Sequence, residues 1–118
     1  MKIAIAQLNP VIGDLRRNFQ KLLAALDSSR KDRPDLLIFP ELFLTGYPPK
    51  DLLEKRDFIK RVQKTVREIQ SVSVRFPGTG ILFGVPLPTG RKEGRGLHNS
   101  ALLIKKGKIL FRQNKTLL

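Results

Sequence analysis

Two charged side chains in this sequence stand where a protein can use them for acid–base chemistry, Glu41 and Lys115. Glu41 follows Phe39-Pro40 at the end of the apolar run Leu36 to Phe39. A carboxylate held at the end of a buried strand would lose hydration, which disfavours its charged form and moves it toward the working range of a general base. The same residue can instead cap the next turn or pair with an arginine, since ion-pair networks also perturb carboxylates. Lys115 sits in a polar run after an apolar one. An ammonium there can stabilise a developing oxyanion or hold a carboxylate, or it can be one more member of a basic tail. Tyr47, the only tyrosine, lies in Thr45-Gly46-Tyr47-Pro48-Pro49. The glycine allows a sharp turn and the prolines stiffen the chain after the tyrosine. The phenol is therefore either a pocket wall or an ordinary packed aromatic. The one histidine, His98, and the complete lack of cysteine remove disulfides, a cysteine nucleophile and any multi-histidine or thiolate metal site from these residues. His98 reads as structural, and no metal site is expected. Gly90, Gly94 and Gly96 lack the strand–loop–helix setting and the lysine of a phosphate-binding loop.

The elements that must position these groups can be read from periodicity. Lys2 to Leu8 alternates Ile3, Ile5 and Gln7 with Ala4 and Ala6, which predicts a strand buried on both faces and ended by Asn9-Pro10. Asp14 is a candidate N-cap for a helix whose Leu15, Phe19, Leu22, Leu23 and Leu26 share one face. Leu36 to Phe39 predicts a central strand, with a Pro- and Gly-rich loop after it over 40–50. A second helix is expected from Asp57 to Val74, with Phe58, Val62, Thr65, Val66, Ile69, Val72 and Ser73 inward and Phe76-Pro77-Gly78 as its stop. Ile81 to Val85 predicts a third buried strand, and 86–96 an exposed loop. Ala101–Ile104 and Ile109–Phe111 form a hairpin around Lys105-Lys106-Gly107-Lys108. The order β-α-β-α-β-β-β gives an α/β class with a mixed sheet in one domain, with no linker or repeat. Two helices cover only one face of such a sheet, so its second cover must come from elsewhere.

With 118 residues, 41% of them hydrophobic, the chain can bury one core and no more than one domain. No apolar run is long enough for a membrane span, which takes about 20 residues. The N-terminus lacks a secretory pattern. A soluble, cytoplasmic protein with no membrane partner is expected. The net charge is +13, and more than half of the excess falls in residues 91–118. Such a stripe can attract a polyanion, which leaves a basic nucleic-acid-binding module as an alternative. Nucleic acid is not the expected partner, because no recognition motif accompanies the charge and only Phe111 interleaves the basic residues.

Taken together, the pieces resemble the nitrilase (carbon–nitrogen hydrolase) superfamily. Residues 39–49, FPELFLTGYPP, are similar to its first catalytic motif, and MKIAIAQLNPVIGDLRRN to its first strand and helix. LTGYPPKDLL is most similar to the glutaminase domain of glutamine-dependent NAD synthetases, and LHNSALLIKKGKILFRQNKTLL to the hairpin before the family's lysine motif. The resemblance is collinear over essentially all of residues 1–118. It implies that Glu41 is the general base, Lys115 the catalytic lysine and Tyr47 part of the glutamine pocket. It further implies a cysteine that attacks the glutamine amide, releasing ammonia for the amidation of deamido-NAD and leaving a thioester that water resolves. Thiolate chemistry fits such a set, since a nearby base generates the nucleophile and cationic or N–H donors stabilise the oxyanion. The family's fold is a four-layer α-β-β-α sandwich, so the chain is expected to supply its first half as a partial, truncated domain without a second domain. On that expectation the chain by itself is inactive, because it holds no cysteine. It also needs no cofactor, ATP and magnesium being implied only for a synthetase domain that is absent from it. Glutamine is the implied substrate of the parent enzyme, another amidase of the superfamily is the alternative, and the half-covered sheet predicts a homo-oligomer.

Overall fold

A computed structural model describes residues 1–46, 55–88 and 97–116. The elements are β1 (Ile3–Ile5), α1 (Leu15–Ser29), β2 (Leu36–Ile38), α2 (Arg56–Ser73), β3 (Gly80–Pro88), β4 (Leu97–Lys105) and β5 (Lys108–Thr116). They form one five-stranded sheet in the order β1-β2-β3-β4-β5. The first three strands run parallel and the last three are joined antiparallel. The mixed α/β sheet expected from the periodicity is therefore present.

Local chemistry accounts for most boundaries. Asp14 caps α1, its carboxylate accepting from the Arg17 N–H at 3.0 Å. Leu15, Phe19, Leu22 and Leu26 are buried along that helix, as their spacing requires. Along α2 the expected face, Phe58, Val62, Thr65, Val66, Ile69, Val72 and Ser73, is buried throughout. The β4–β5 hairpin closes through Lys106 and Gly107, both at positive φ (52° and 80°), the left-handed pair of a tight turn whose twist suits the flanking strands. This turn is tied to α2: Gly107 N–H donates to Ser73 Oγ at 2.8 Å, and Gln70 Nε2 donates to the Gly107 carbonyl at 3.2 Å.

Both strands of the hairpin are longer than the apolar runs alone indicated. Pairing continues through the polar segments His98–Ser100 and Asn114–Thr116, so Lys115 lies within β5 rather than after it. Backbone hydrogen bonds, not side-chain hydrophobicity, extend these strands. β3 likewise runs on to Pro88, taking in the first three residues of the expected 86–96 loop. The rest of that loop falls outside the described residues.

The two helices pack into a single core with the sheet, and all of them lie on one face. Crossovers of one hand that step in the same direction, β1 to β2 and β2 to β3, leave their helices on the same side. Leu37, Ile81, Phe83, Val85, Leu102 and Ile104 point into this core. The opposite face carries a row that crosses every strand in register: Ile5, Ile38, Leu82, Leu103 and Phe111. Its two ends are open to solvent, with Ile5 68% and Phe111 52% exposed. The expectation that β1 is buried on both faces is thus corrected. Ala4 and Ala6 pack against the core while Ile3 and Ile5 stand exposed, because nothing among the described residues covers that side.

After β2 the chain turns back over the sheet at residues 40–46. The turn is closed by Gly46 N–H donating to the Leu42 carbonyl at 2.7 Å, and Leu42 itself is left-handed at φ 51°. It rests directly on β3: a Cβ placed on Gly84 would come within 2.2 Å of the Leu42 nitrogen and 3.0 Å of Glu41 Cα. Leu44 N–H also donates to the Gly84 carbonyl at 3.3 Å. From the other side the turn is pinned by Asn18, a fully buried polar residue on α1. Asn18 Oδ1 accepts from the Val11 N–H at 2.7 Å, and Nδ2 donates to the carbonyls of Val11 (2.8 Å) and Leu44 (2.9 Å). One amide thereby satisfies three backbone groups from two loops, each of which would be destabilising if left unpaired.

Two changes in stability are expected. Gly84→Ala must displace backbone rather than a flexible side-chain tip, so a loss of about 1–3 kcal/mol should appear in urea unfolding midpoints. Asn18→Ala strands buried backbone groups and should cost about 1–3 kcal/mol in the same measurement. Asn18→Asp should be no better, because a carboxylate would face the Val11 and Leu44 carbonyls; an Asn18→Asp protein as stable as the parent would contradict the pinning role.

Candidate active site

The polar groups of the open face gather at one end of the sheet, beyond the C-terminal ends of the parallel strands, where α/β folds hold functional groups. Glu41 leaves the turn above Gly84 and accepts a hydrogen bond from Asn99 Nδ2 of β4. Asn99 is paired directly with Lys115 of β5. Residues directly opposite each other in an antiparallel pair project from the same face, with Cβ atoms about 4.5–5.5 Å apart. Glu41, Asn99 and Lys115 therefore form one polar cluster on the open face.

β2, which leads into the Glu41 turn, and β5, which carries Lys115, are not neighbours: β3 and β4 lie between them in the sheet. The turn carries Glu41 across β3 to Asn99, whose register partner on β5 is Lys115. Glu41 is also exposed rather than sunk into an apolar strand end. The turn lifts it off the sheet, and these residues put nothing on its outer side. Tyr47 lies outside the described residues.

Asn99 does not stand out in the sequence. Its only signal there is a polar residue interrupting an otherwise strand-like segment, which by itself does not separate an exposed edge position from a site. The pairing register supplies the missing information. Lys115 is further fixed by contacts on the other face of the hairpin. Ser100 Oγ donates to Asn114 Oδ1 at 2.8 Å, Arg112 Nε donates to the same oxygen at 2.7 Å, and Arg112 Nη2 reaches the Pro88 carbonyl at 3.3 Å. These bonds hold β5 against β4 and β3 next to the lysine.

Beside the cluster is an open cavity of about 300 Å³, walled by Ile38, Leu82 and Ala101 and edged by Glu41, Asn99 and Gln113. An apolar floor with a carboxylate and amides on its rim suits a small polar molecule with an aliphatic stem. A larger cleft of about 530 Å³ lies between the start of α1 and α2. Several of its charges are already engaged, Arg16 with both carboxylate oxygens of Glu68 (3.0 and 3.1 Å) and Arg61 over the Phe58 ring. The smaller cavity is the one edged by Glu41 and by Asn99, the residue directly opposite Lys115 on β5. His98, half-buried on β4, belongs to the opposite face from Asn99. No group of three metal-ligating side chains occurs among the described residues.

Relatives and solved structures agree with this architecture. Residues 2–118 match the sequence pattern of the carbon-nitrogen hydrolase family. A glutamine-dependent NAD(+) synthetase from Synechocystis sp. is 40% identical over 111 residues, covering 91% of this chain and 19% of that protein. One from Acinetobacter baylyi is 37% identical over 114 residues, 97% of this chain and 20% of that protein. The chain thus spans about one-fifth of the length of these relatives. The ADP-bound glutamine-dependent NAD+ synthetase of Acinetobacter baumannii superposes with a TM-score of 0.83 at 36% identity, over 97% of this chain and 20% of that one. An amidase from Nesterenkonia sp., at 24% identity, shares the fold with a TM-score of 0.82 over all of this chain and 43% of its own. The match spans nearly all of the 118 residues, and the chain belongs to the carbon-nitrogen hydrolase family.

Proposed function

We propose that this chain provides the general base and the lysine of a glutamine amidase that releases ammonia for the amidation of deamido-NAD. The observation that carries the reading is Glu41 on the rim of the cavity, hydrogen-bonded to Asn99, the residue directly opposite Lys115 on β5. The named relatives support glutamine as the substrate over another small amide. The likeness to the Nesterenkonia amidase is one of fold and favours neither. A nucleic-acid-binding role draws no support from these relatives.

In this reading the 118 residues contain no cysteine, so the attacking thiol belongs to a segment outside them. Glu41 accepts the thiol proton as sulfur attacks the side-chain amide carbon of glutamine. Lys115 stabilises the oxyanion of the tetrahedral intermediate. Glu41 then returns the proton to the leaving nitrogen, and ammonia departs as the thioester forms. Water, deprotonated by Glu41, cleaves the thioester to give glutamate and restores the thiol. Tyr47 is assigned to the wall of the glutamine pocket. This part of the enzyme uses no cofactor, and ATP and magnesium serve the synthetase portion of the longer protein. The setting is cytoplasmic; no helix among the described residues is long and apolar enough to cross a membrane.

The purified chain should release no ammonia from glutamine. Joined in frame at Leu118 to the remainder of the Synechocystis relative, it should do so, and Glu41→Gln or Lys115→Ala should each lower kcat by at least about 10²-fold, the scale on which oxyanion donors and positioned bases act. Turnover by the chain alone, or full activity in either variant, would remove the reading.

The open face also sets the solution behaviour. An apolar row ending in Ile5 and Phe111, next to the unpaired edge of β5, promotes self-association. The isolated chain is expected to sediment as a homo-oligomer, and Phe111→Lys to shift it toward monomer. A monomeric parent chain with a sharp thermal transition would speak against this.

A further inference from the structure

Glu41 stands on a turn, at the end of a flexible side chain and exposed to water, yet a general base must be held in one geometry to work. The turn fixes its backbone through Gly84 and Asn18, but neither of these touches the carboxylate. Among the described residues the group that does is Asn99, through Nδ2 to Oε1. Asn99 is itself well anchored. Its backbone is paired on both sides, with Pro86 of β3 and Lys115 of β5, and it is half-buried.

The residue type matters as much as the place. A primary amide both donates to a carboxylate and accepts from an ammonium. Aspartate, identical in shape, has no proton to give when ionised, and leucine, similar in size, has neither function. An amide between a glutamate and a lysine can therefore bind each in its charged form without neutralising either. A direct Glu41–Lys115 ion pair would instead occupy the lysine that the oxyanion needs.

We propose that Asn99 is a positioning residue: its side-chain amide holds the Glu41 carboxylate over Gly84 and spaces it from Lys115, the residue opposite on β5. This rests on the amidase reading only for its catalytic consequence; the contact itself does not.

Two measurements test it. The first needs no activity. In the 118-residue chain, labelled with ¹⁵N, the Asn99 side-chain amide protons should be displaced by the hydrogen bond and return to the ordinary amide region in Glu41→Ala. An Asn99 signal identical in the two proteins would overturn the proposal. The second uses the chain joined to the remainder of the Synechocystis relative. Asn99→Ala should lower kcat about 10- to 100-fold, the effect of letting a reacting group drift by about an ångström, with KM little changed. Asn99→Asp should be slower still, despite its matching shape, because it sets a second carboxylate beside Glu41. Thermal unfolding of both variants checks that they remain folded. An Asn99→Asp protein as fast as the parent, or an effect confined to KM, would reduce Asn99 to a packing role and overturn the proposal. An inactive parent fusion with the amide displacement present would instead sink the amidase reading and leave the positioning contact standing.

Discussion

The backbone of the turn at 41–42 lies so close to Gly84 that no carbon atom fits between them. Much of the site's geometry depends on this contact. With a side chain at position 84 the turn would ride higher, and Glu41 would lose its reach to Asn99. The left-handed Leu42 belongs to the same constraint. A leucine in that region costs about 1–2 kcal/mol relative to the right-handed form. It persists because Leu42 and its neighbours Phe43 and Leu44 are buried and the turn is bonded from both sides. Asn18 closes the arrangement, so a buried amide on α1 and a missing side chain on β3 jointly set where a carboxylate stands on the far side of the sheet.

Among the described residues the sheet is finished on one face and open on the other. Two crossovers in the same direction account for the covered side, where the core residues of α1 and α2 meet Leu37, Ile81, Phe83 and Ile104. The open side divides along the strands. Its lower part is the apolar row from Ile5 to Phe111, and its upper part is the polar cluster with the cavity beside it. The apolar row runs on into the cavity, since Ile38 and Leu82 belong to both, and Glu41 and Asn99 stand on its edge. The exposure of Glu41 and the exposure of Ile5 and Phe111 are two aspects of the same uncovered face.

The basic charge finds no single structural use. On α1 and α2 some of it enters surface contacts, such as Arg16 with Glu68 and Arg30 over the Phe76 ring. Exposed pairs of this kind contribute about 1 kcal/mol or less each. On the hairpin, Arg112 holds strands together through Asn114 and the Pro88 carbonyl. Lys115 differs from the other basic residues in its register, opposite an asparagine that already binds a carboxylate.

The sequence alone determined both helices, nearly to their ends, because amphipathic spacing and an aspartate cap are local properties. It determined the existence of all five strands and singled out Glu41 as a candidate, since apolar runs and the FPELFLTGYPP segment need no tertiary information to be read. The full lengths of β3, β4 and β5 were not legible. Polar segments such as His98–Ser100 become strand only through hydrogen bonds to a partner far away in the chain. Asn18 and Asn99 were missed for the same reason: an asparagine's role is set by which distant groups it meets. Only the tertiary structure decided that Glu41 crosses β3 to reach Asn99 on β4, and that the β4–β5 register sets Lys115 opposite that asparagine. Periodicity reports which face a residue takes within its own element, while the distance between two residues on one face is fixed by strand order and pairing, which no local pattern encodes.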